Sequence, residues 1–164
     1  MTDSKTQIVI RPFDAARDEQ SLRECLIEQQ NFHRRLEPAW PDGQAIVGAY
    51  MTYLETECAA HNGCILMAHC GEQAAGFVCV VAATRGESPE DPAPLAWVHE
   101  LYVKPEHRRR GVASRLMAAA ERFAGGEGAR VLRLGVQDRN AGARRFYTKQ
   151  RFAEYAHVLT KSLE

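Results

Sequence analysis

The sequence predicts a single α/β domain over residues 1–164, a mixed (α+β) sheet with the order β-α-α-β-β-β-α-β-α-β. Strand-like runs joined by a short turn in the first half imply antiparallel pairing. A strand–helix–strand unit in the second half implies a locally parallel pair. The 164 residues show no internal repeat and no shift of composition. A chain of this size buries about two-thirds of its extended surface, enough for one core.

Each element has a local reason. Ile8, Val9, Ile10 and Phe13 form a β-rich run ended by Arg11-Pro12. From about Asp18, the positions Leu22, Cys25, Leu26, Gln29, Phe32 and Leu36 recur at helical spacing, and the helix must stop before Pro38. Pro41-Asp42-Gly43 marks a turn, after which Ile46, Tyr50, Tyr53, Leu54 and Cys58 are again helical. Cys64–Cys70 and Ala74–Thr84 read as strands joined at Gly71-Glu72. Gly86–Pro94 is a proline-rich loop, and Leu95–Val103 returns to strand before Pro105. Gly111–Phe123 is helical, with Gly125-Gly126 as its stop. Val131–Val136 is a strand, Ala141–Gln150 a helix, and Ala153–Thr160 a last strand.

Composition narrows the function classes. The 21 basic and 21 acidic residues cancel, and hydrophobic residues make up 45% against 26% charged, an ordinary globular mixture. Zero net charge gives no whole-chain attraction to nucleic acid or anionic membrane, so any anion site must be local. No apolar run approaches the ~18 residues of a membrane helix. The first twenty residues lack a signal's apolar stretch. A cytoplasmic location is expected. Five cysteines without a C-x-x-C pair do not read as a disulfide framework. His61, Cys64, His69 and Cys70 resemble a metal set only in composition. Strand alternation would put Cys64 and Cys70 on one face and His69 on the other, so no metal is expected.

The chemistry concentrates in His99-Glu100-Leu101-Tyr102-Val103-Lys104-Pro105-Glu106-His107-Arg108-Arg109-Arg110-Gly111-Val112-Ala113. The segment joins a strand to a helix N-terminus through an arginine-rich loop closed by Gly-x-Ala. The first turn of a helix leaves N–H groups unpaired and carries partial positive charge. Gly111 and Ala113 let a phosphate approach the backbone, and Arg108, Arg109 and Arg110 add charge-assisted donors. A solvated basic turn capping a helix would look the same. The chain has neither a P-loop nor a G-x-G-x-x-G dinucleotide fingerprint, so a pyrophosphate ligand of another kind fits better.

ELYVKPEHRRRGVASRLM resembles the strand–loop–helix motif of the GNAT superfamily of acyl-CoA N-acyltransferases, with its [RQ]-x-x-G-x-[GA] core at Arg108, Gly111 and Ala113. Asn140 to Phe152 is similar to the family's N-x-x-A-x-x-[FL]-Y-x-x-x-G-F segment, with Arg151 where the glycine would stand. The resemblance implies a GNAT-like fold and an N-acetyltransferase using acetyl-CoA as cosubstrate. Backbone at Leu101, Tyr102 and Val103 would meet the pantetheine arm in a splay between neighbouring strands. Amides of Arg109, Arg110, Gly111, Val112, Ala113 and Ser114 would hold the pyrophosphate, with the Arg108 side chain assisting. Asn140 would help hold the arm, and Tyr147 would lie near the thioester sulfur. Homodimers are common in the family. The implied reaction is direct transfer in a ternary complex to a primary amine of a small molecule or peptide.

An alkylammonium acceptor with a pKa near ~10.4 is only about 0.04% neutral at pH 7, so a base is useful. His99 stands where several family members carry that group. Glu100 competes, but alternation would turn it to the opposite strand face, so at most one of the two should meet the acceptor. Tyr147 is the acid or the donor to the leaving sulfur, or else a core aromatic. The acceptor pocket is expected from Phe32, His33, Arg34, Arg35, Glu37, Trp40 and Gly86–Pro94. Two other classes compete: a non-catalytic acyl-CoA-binding module of the same fold, and a nucleic-acid patch on the arginines. Zero net charge and the lack of a basic tail disfavour the second.

Overall fold

The computed structural model describes residues 7–83 and 94–163. Its sheet has five strands in the order β1-β2-β3-β4-β5. These are β1 (Ile8–Pro12), β2 (Cys64–Cys70), β3 (Gln73–Ala83), β4 (Leu95–Val103) and β5 (Val131–Leu134). β1 through β4 pair antiparallel, and β4 pairs β5 in parallel, so the expected mixed sheet forms. Helices α1 (Ala15–Leu36) and α2 (Gly43–Ala60) connect β1 to β2; α3 (Val112–Gly126) connects β4 to β5; and α4 (Ala141–Lys149) follows β5.

The two-residue period of the strands sorts their side chains into two cores. Ile65, Met67, Phe77 and Cys79 pack with Leu22, Cys25, Leu26, Val47, Met51 and Leu54 of α1 and α2. Leu66, Ala68, Val78, Val80, Ala96 and Val98 pack on the other face with Val112, Leu116, Met117 and Ala120 of α3. Asp14 caps α1 by accepting from the Ala16 amide at 3.0 Å. One turn on, buried Asp18 takes both terminal nitrogens of Arg11, at 2.6 and 2.8 Å, fastening α1 to β1. At Gly76 any Cβ would lie 2.2 Å from the Tyr102 carbonyl oxygen. Only glycine lets β3 and β4 approach this closely, just where β4 enters the arginine-rich loop.

Two expectations change. The helix α3 runs through Gly125-Gly126 and stops later, because the left-handed residue is Gly128 (φ 88°). The Gly128 amide bonds the Gly125 carbonyl and the Ala129 amide the Ala124 carbonyl, a Schellman closure. Ala153–Thr160, expected as a last strand, pairs with no strand of the sheet among the described residues. Val158 and Leu159 are each 93% exposed, so no core rewards their ordering. The segment follows a second Schellman closure, in which the Arg151 amide bonds Thr148 and the Phe152 amide bonds Tyr147. Arg151 holds the left-handed position (φ 67°) where the family motif has glycine.

Candidate active site

The site is organised by a change along β4. From Leu95 to Val98 the strand pairs with β3 on one side and β5 on the other. The β5 register ends at Val98↔Leu134, whereas β3 stays paired as far as Gly76↔Val103. Among the described residues, β4 from His99 to Val103 therefore has a strand on one edge only. The other edge is where the splay is expected, and its Val103 carbonyl accepts from Arg108.

Past Val103 the chain turns through a short 3₁₀ segment (Pro105–His107) into α3. Arg109 (φ 59°) and Gly111 (φ 83°) both take left-handed backbone. Gly111 is the N-cap of α3 and no side chain caps the helix. A Cβ at Gly111 would meet nothing within 4 Å. The first-turn amides thus open onto uncluttered space, with the helix dipole behind them. Arg109 and Arg110 are exposed, and Arg110 reaches His107 at 3.4 Å. Arg108 lies over the Tyr102 ring, 5.7 Å from its centroid, and its Nε donates to the Val103 carbonyl at 2.9 Å. It braces the strand end as well as lending charge. Ser114 accepts from Gln150 at 3.2 Å, joining the starts of α3 and the end of α4.

Simple alternation fails at His99. Cys79 is opposite Glu100 but Val80 is opposite Val98, so His99 is an extra residue, a β-bulge. The bulge brings both His99 and Glu100 to the α1/α2 side, correcting the expectation that they face opposite ways. Glu100 accepts from the Tyr50 hydroxyl of α2 and from Gln29 Nε2 of α1, the latter at 2.6 Å. It is recessed, with only part of the residue reaching solvent. Burial pushes its carboxyl up to about 7, against the lowering effect of these two donors. His99 sits nearer the rim, its Nδ1 3.4 Å from the Tyr53 hydroxyl and its Nε2 3.7 Å from Glu57.

Tyr147 packs edge-on against Phe146 and Phe152 at the α3-side core. Burial and then the Glu100 charge push its phenol up to about 12, so the two groups are within electrostatic reach. Asn140 caps α4, its Oδ1 accepting from the Ala143 amide at 3.1 Å, which leaves its side-chain NH₂ as the part available to a ligand. Arg139, just before it, donates to the Leu36 carbonyl at 2.9 Å and ties this loop to the end of α1. Two buried amides are incompletely paired among the described residues: Gln29 Oε1 and both polar atoms of Gln137.

Of the expected acceptor residues, His33 and Trp40 meet edge to face with centroids 5.3 Å apart. Arg35 lies over Phe32 and Arg34 pairs with Asp42. Glu37 pairs with Arg139. Gly86–Pro94 falls outside the described residues except for Pro94. Sequence reasoning missed the roles of Gln29, Tyr50 and Tyr53. The available signal was Gln29, a polar side chain on an otherwise apolar helix stripe. Among the described residues no three His, Cys, Asp or Glu side chains gather as a metal set, and no helix is long and apolar enough to cross a membrane.

The model of the acetyltransferase (GNAT) family matches residues 12–152. The chain belongs to that family. An uncharacterised N-acetyltransferase of Archaeoglobus fulgidus is 34% identical over 86 residues, 52% of this chain and 57% of the relative. Another, of Methanocaldococcus jannaschii, is 37% identical over 60 residues, 37% of this chain and 26% of the relative. The chain thus matches about half and about a quarter of these two lengths. The aminoglycoside acetyltransferase AAC(6')-Iy, solved with the bisubstrate analogue CoA-S-monomethyl-acetylneamine, superposes with a TM-score of 0.71 at 21% identity, covering 96% of this chain and 99% of that one. At that identity the likeness is one of fold, and it extends the GNAT architecture to nearly the whole chain.

Proposed function

We propose that the chain works as one N-acetyltransferase domain, moving an acetyl group from acetyl-CoA to a primary amine of a small molecule or peptide by direct transfer in a ternary complex. The observation that carries this reading is a single strand, β4, that ends one-sided pairing in a side-chain-free helix N-terminus and carries a recessed carboxyl near neutrality. The residues present fit the cosubstrate. The open edge at Leu101, Tyr102 and Val103 suits the amides of a pantetheine arm. The amides from Arg109 to Ser114 suit a pyrophosphate, with Arg108 to Arg110 adding charge. When bound, acetyl-CoA supplies the acetyl thioester.

Glu100 is the base. A carboxylate with a pKa of about 7 is half ionised at neutral pH and far better matched to an ammonium than an ordinary glutamate. Tyr50 and Gln29 hold it in place, and the part facing solvent takes the ammonium proton. Tyr147 keeps its proton at any physiological pH. Giving it up completely to a thiolate near ~8.5 would be uphill by roughly 5 kcal/mol, so Tyr147 acts by donating a hydrogen bond to the leaving sulfur. His99, with Tyr53 and Glu57, shapes the acceptor's approach.

The C-terminal apolar residues Tyr155, Val158, Leu159 and Leu163 are exposed, and β5 has no outer neighbour among the described residues. An uncovered strand edge beside an apolar segment supports a homodimer, for which sedimentation velocity should give twice the 18.3 kDa chain mass. The function itself is tested by thiol release. With acetyl-CoA and a panel of amines, free CoA should appear with at least one acceptor, and acetyl-CoA alone should raise the melting temperature. Stabilisation without release under any acceptor would leave a binding module; neither effect would reject the reading.

A further inference from the structure

Cys58, near the end of α2, and Cys79, in the middle of β3, are 21 residues apart in sequence, yet their Sγ atoms lie 3.6 Å from each other. Cys79 is fully buried, whereas Cys58 is half-buried, so Cys58 is the outer member of the pair. We propose that Cys58 and Cys79 form a reversible dithiol, which a low-molecular-weight disulfide such as oxidised glutathione closes into an intramolecular disulfide that fastens α2 to β3. The Cys58 thiolate attacks one glutathione sulfur, the glutathione S–S bond breaks, and one glutathione leaves as thiolate. Cys79 then gives up its proton and attacks the Cys58 sulfur, expelling the second glutathione. Two protein thiols and one glutathione disulfide become one protein disulfide and two glutathione thiols.

The chemistry favours this pair. The contact between the two lowers the Cys58 thiol against the opposing effect of burial, while the same contact and burial raise the Cys79 thiol, so Cys58 is the one that attacks first. The separation exceeds a ~2.05 Å S–S bond by only about 1.5 Å. Cys64, the nearest rival, is half-buried at the start of β2, and burial pushes its thiol up to about 12. The location has weight as well: Cys79 is the register partner of Glu100 across β3 and β4, and α2 carries Tyr50.

The test needs no substrate. The folded protein is incubated with oxidised glutathione, excess reagent is removed, and thiols are counted after denaturation. The count should fall from five to three, with a linked peptide joining Cys58 to Cys79. The melting temperature should rise by several degrees and return with dithiothreitol. Cys58→Ser should abolish both changes and Cys64→Ser neither. Five remaining thiols, a bond to Cys64, or glutathione retained on Cys58 beside a free Cys79 would each overturn the proposal.

Discussion

From Leu95 to Val98, β4 has a strand on each side and buries Leu95, Ala96 and Val98; from His99 to Val103 it has a strand on one side and polar groups gathered at its bulge. The same nine-residue strand is thus enclosed at one end and open-edged at the other. The bulge marks the boundary. Its extra residue resets the facing of the chain, and the strand's second half is released from β5 at the same point. Substitutions above the boundary should be read in stability and those below it in kinetics.

The largest expected effect is at Glu100. Glu100→Gln keeps the size and one of the two accepting oxygens but removes the base, so kcat/KM should drop at least about 100-fold, with acetyl-CoA affinity retained by calorimetry; a loss of affinity instead would place Glu100 in binding. Above the bulge, Leu95→Ala removes a side chain only 1% exposed and should cost about 3 kcal/mol in urea unfolding. Its kcat/KM should change by less than about threefold at temperatures where it stays folded; a larger loss would erase the division of the strand.

Protonation sharpens the same contrast. The Glu100 carboxyl in the folded protein lies above its ordinary 4.5, at about 7. Folding is therefore unaffected by this group below pH 4.5 and is progressively weakened as pH rises through about 7, by up to roughly 3 kcal/mol. Glu100→Gln should accordingly gain stability relative to the parent between pH 5 and pH 8, whereas Leu95→Ala should show the same deficit at both. In the parent, kcat/KM should climb through about pH 7. A smaller change follows at Tyr147, where replacement by Phe should lower kcat severalfold while acetyl-CoA affinity stays within about twofold. Unchanged turnover would return Tyr147 to the core. The smallest effect is outside the strand: Arg151→Gly relieves a left-handed arginine and should stabilise the fold by about 0.5–1 kcal/mol in thermal unfolding.

The arginine-rich turn was legible because its parts are contiguous. An arginine-rich turn, a glycine that must take positive φ and the start of a helix are neighbours in the chain, and Gly111 takes that conformation. The sheet and its mixed sense were legible for a similar reason, since apolar periodicity and short turns are local signals. The cluster around Glu100 is assembled from distant elements, with Gln29, Tyr50 and Glu100 coming from α1, α2 and β4. No short pattern announces a bulge either, so a period-two reading sends Glu100 to the wrong face. The last strand failed for yet another reason: β propensity alone orders nothing when the apolar side chains at Val158 and Leu159 have no surface to cover.

Gly76 carries a consequence for how this architecture tolerates change. By letting two backbones touch beside Tyr102, it clamps the lower end of β4 at the start of the arginine-rich loop. Insertions or deletions upstream of the bulge would shift the hydrophobic register, yet the interval from Glu100 to Gly111 would survive intact. The Glu100 carboxyl and the Gly111 turn therefore keep a fixed spacing along one chain segment, anchored to β3 at Gly76.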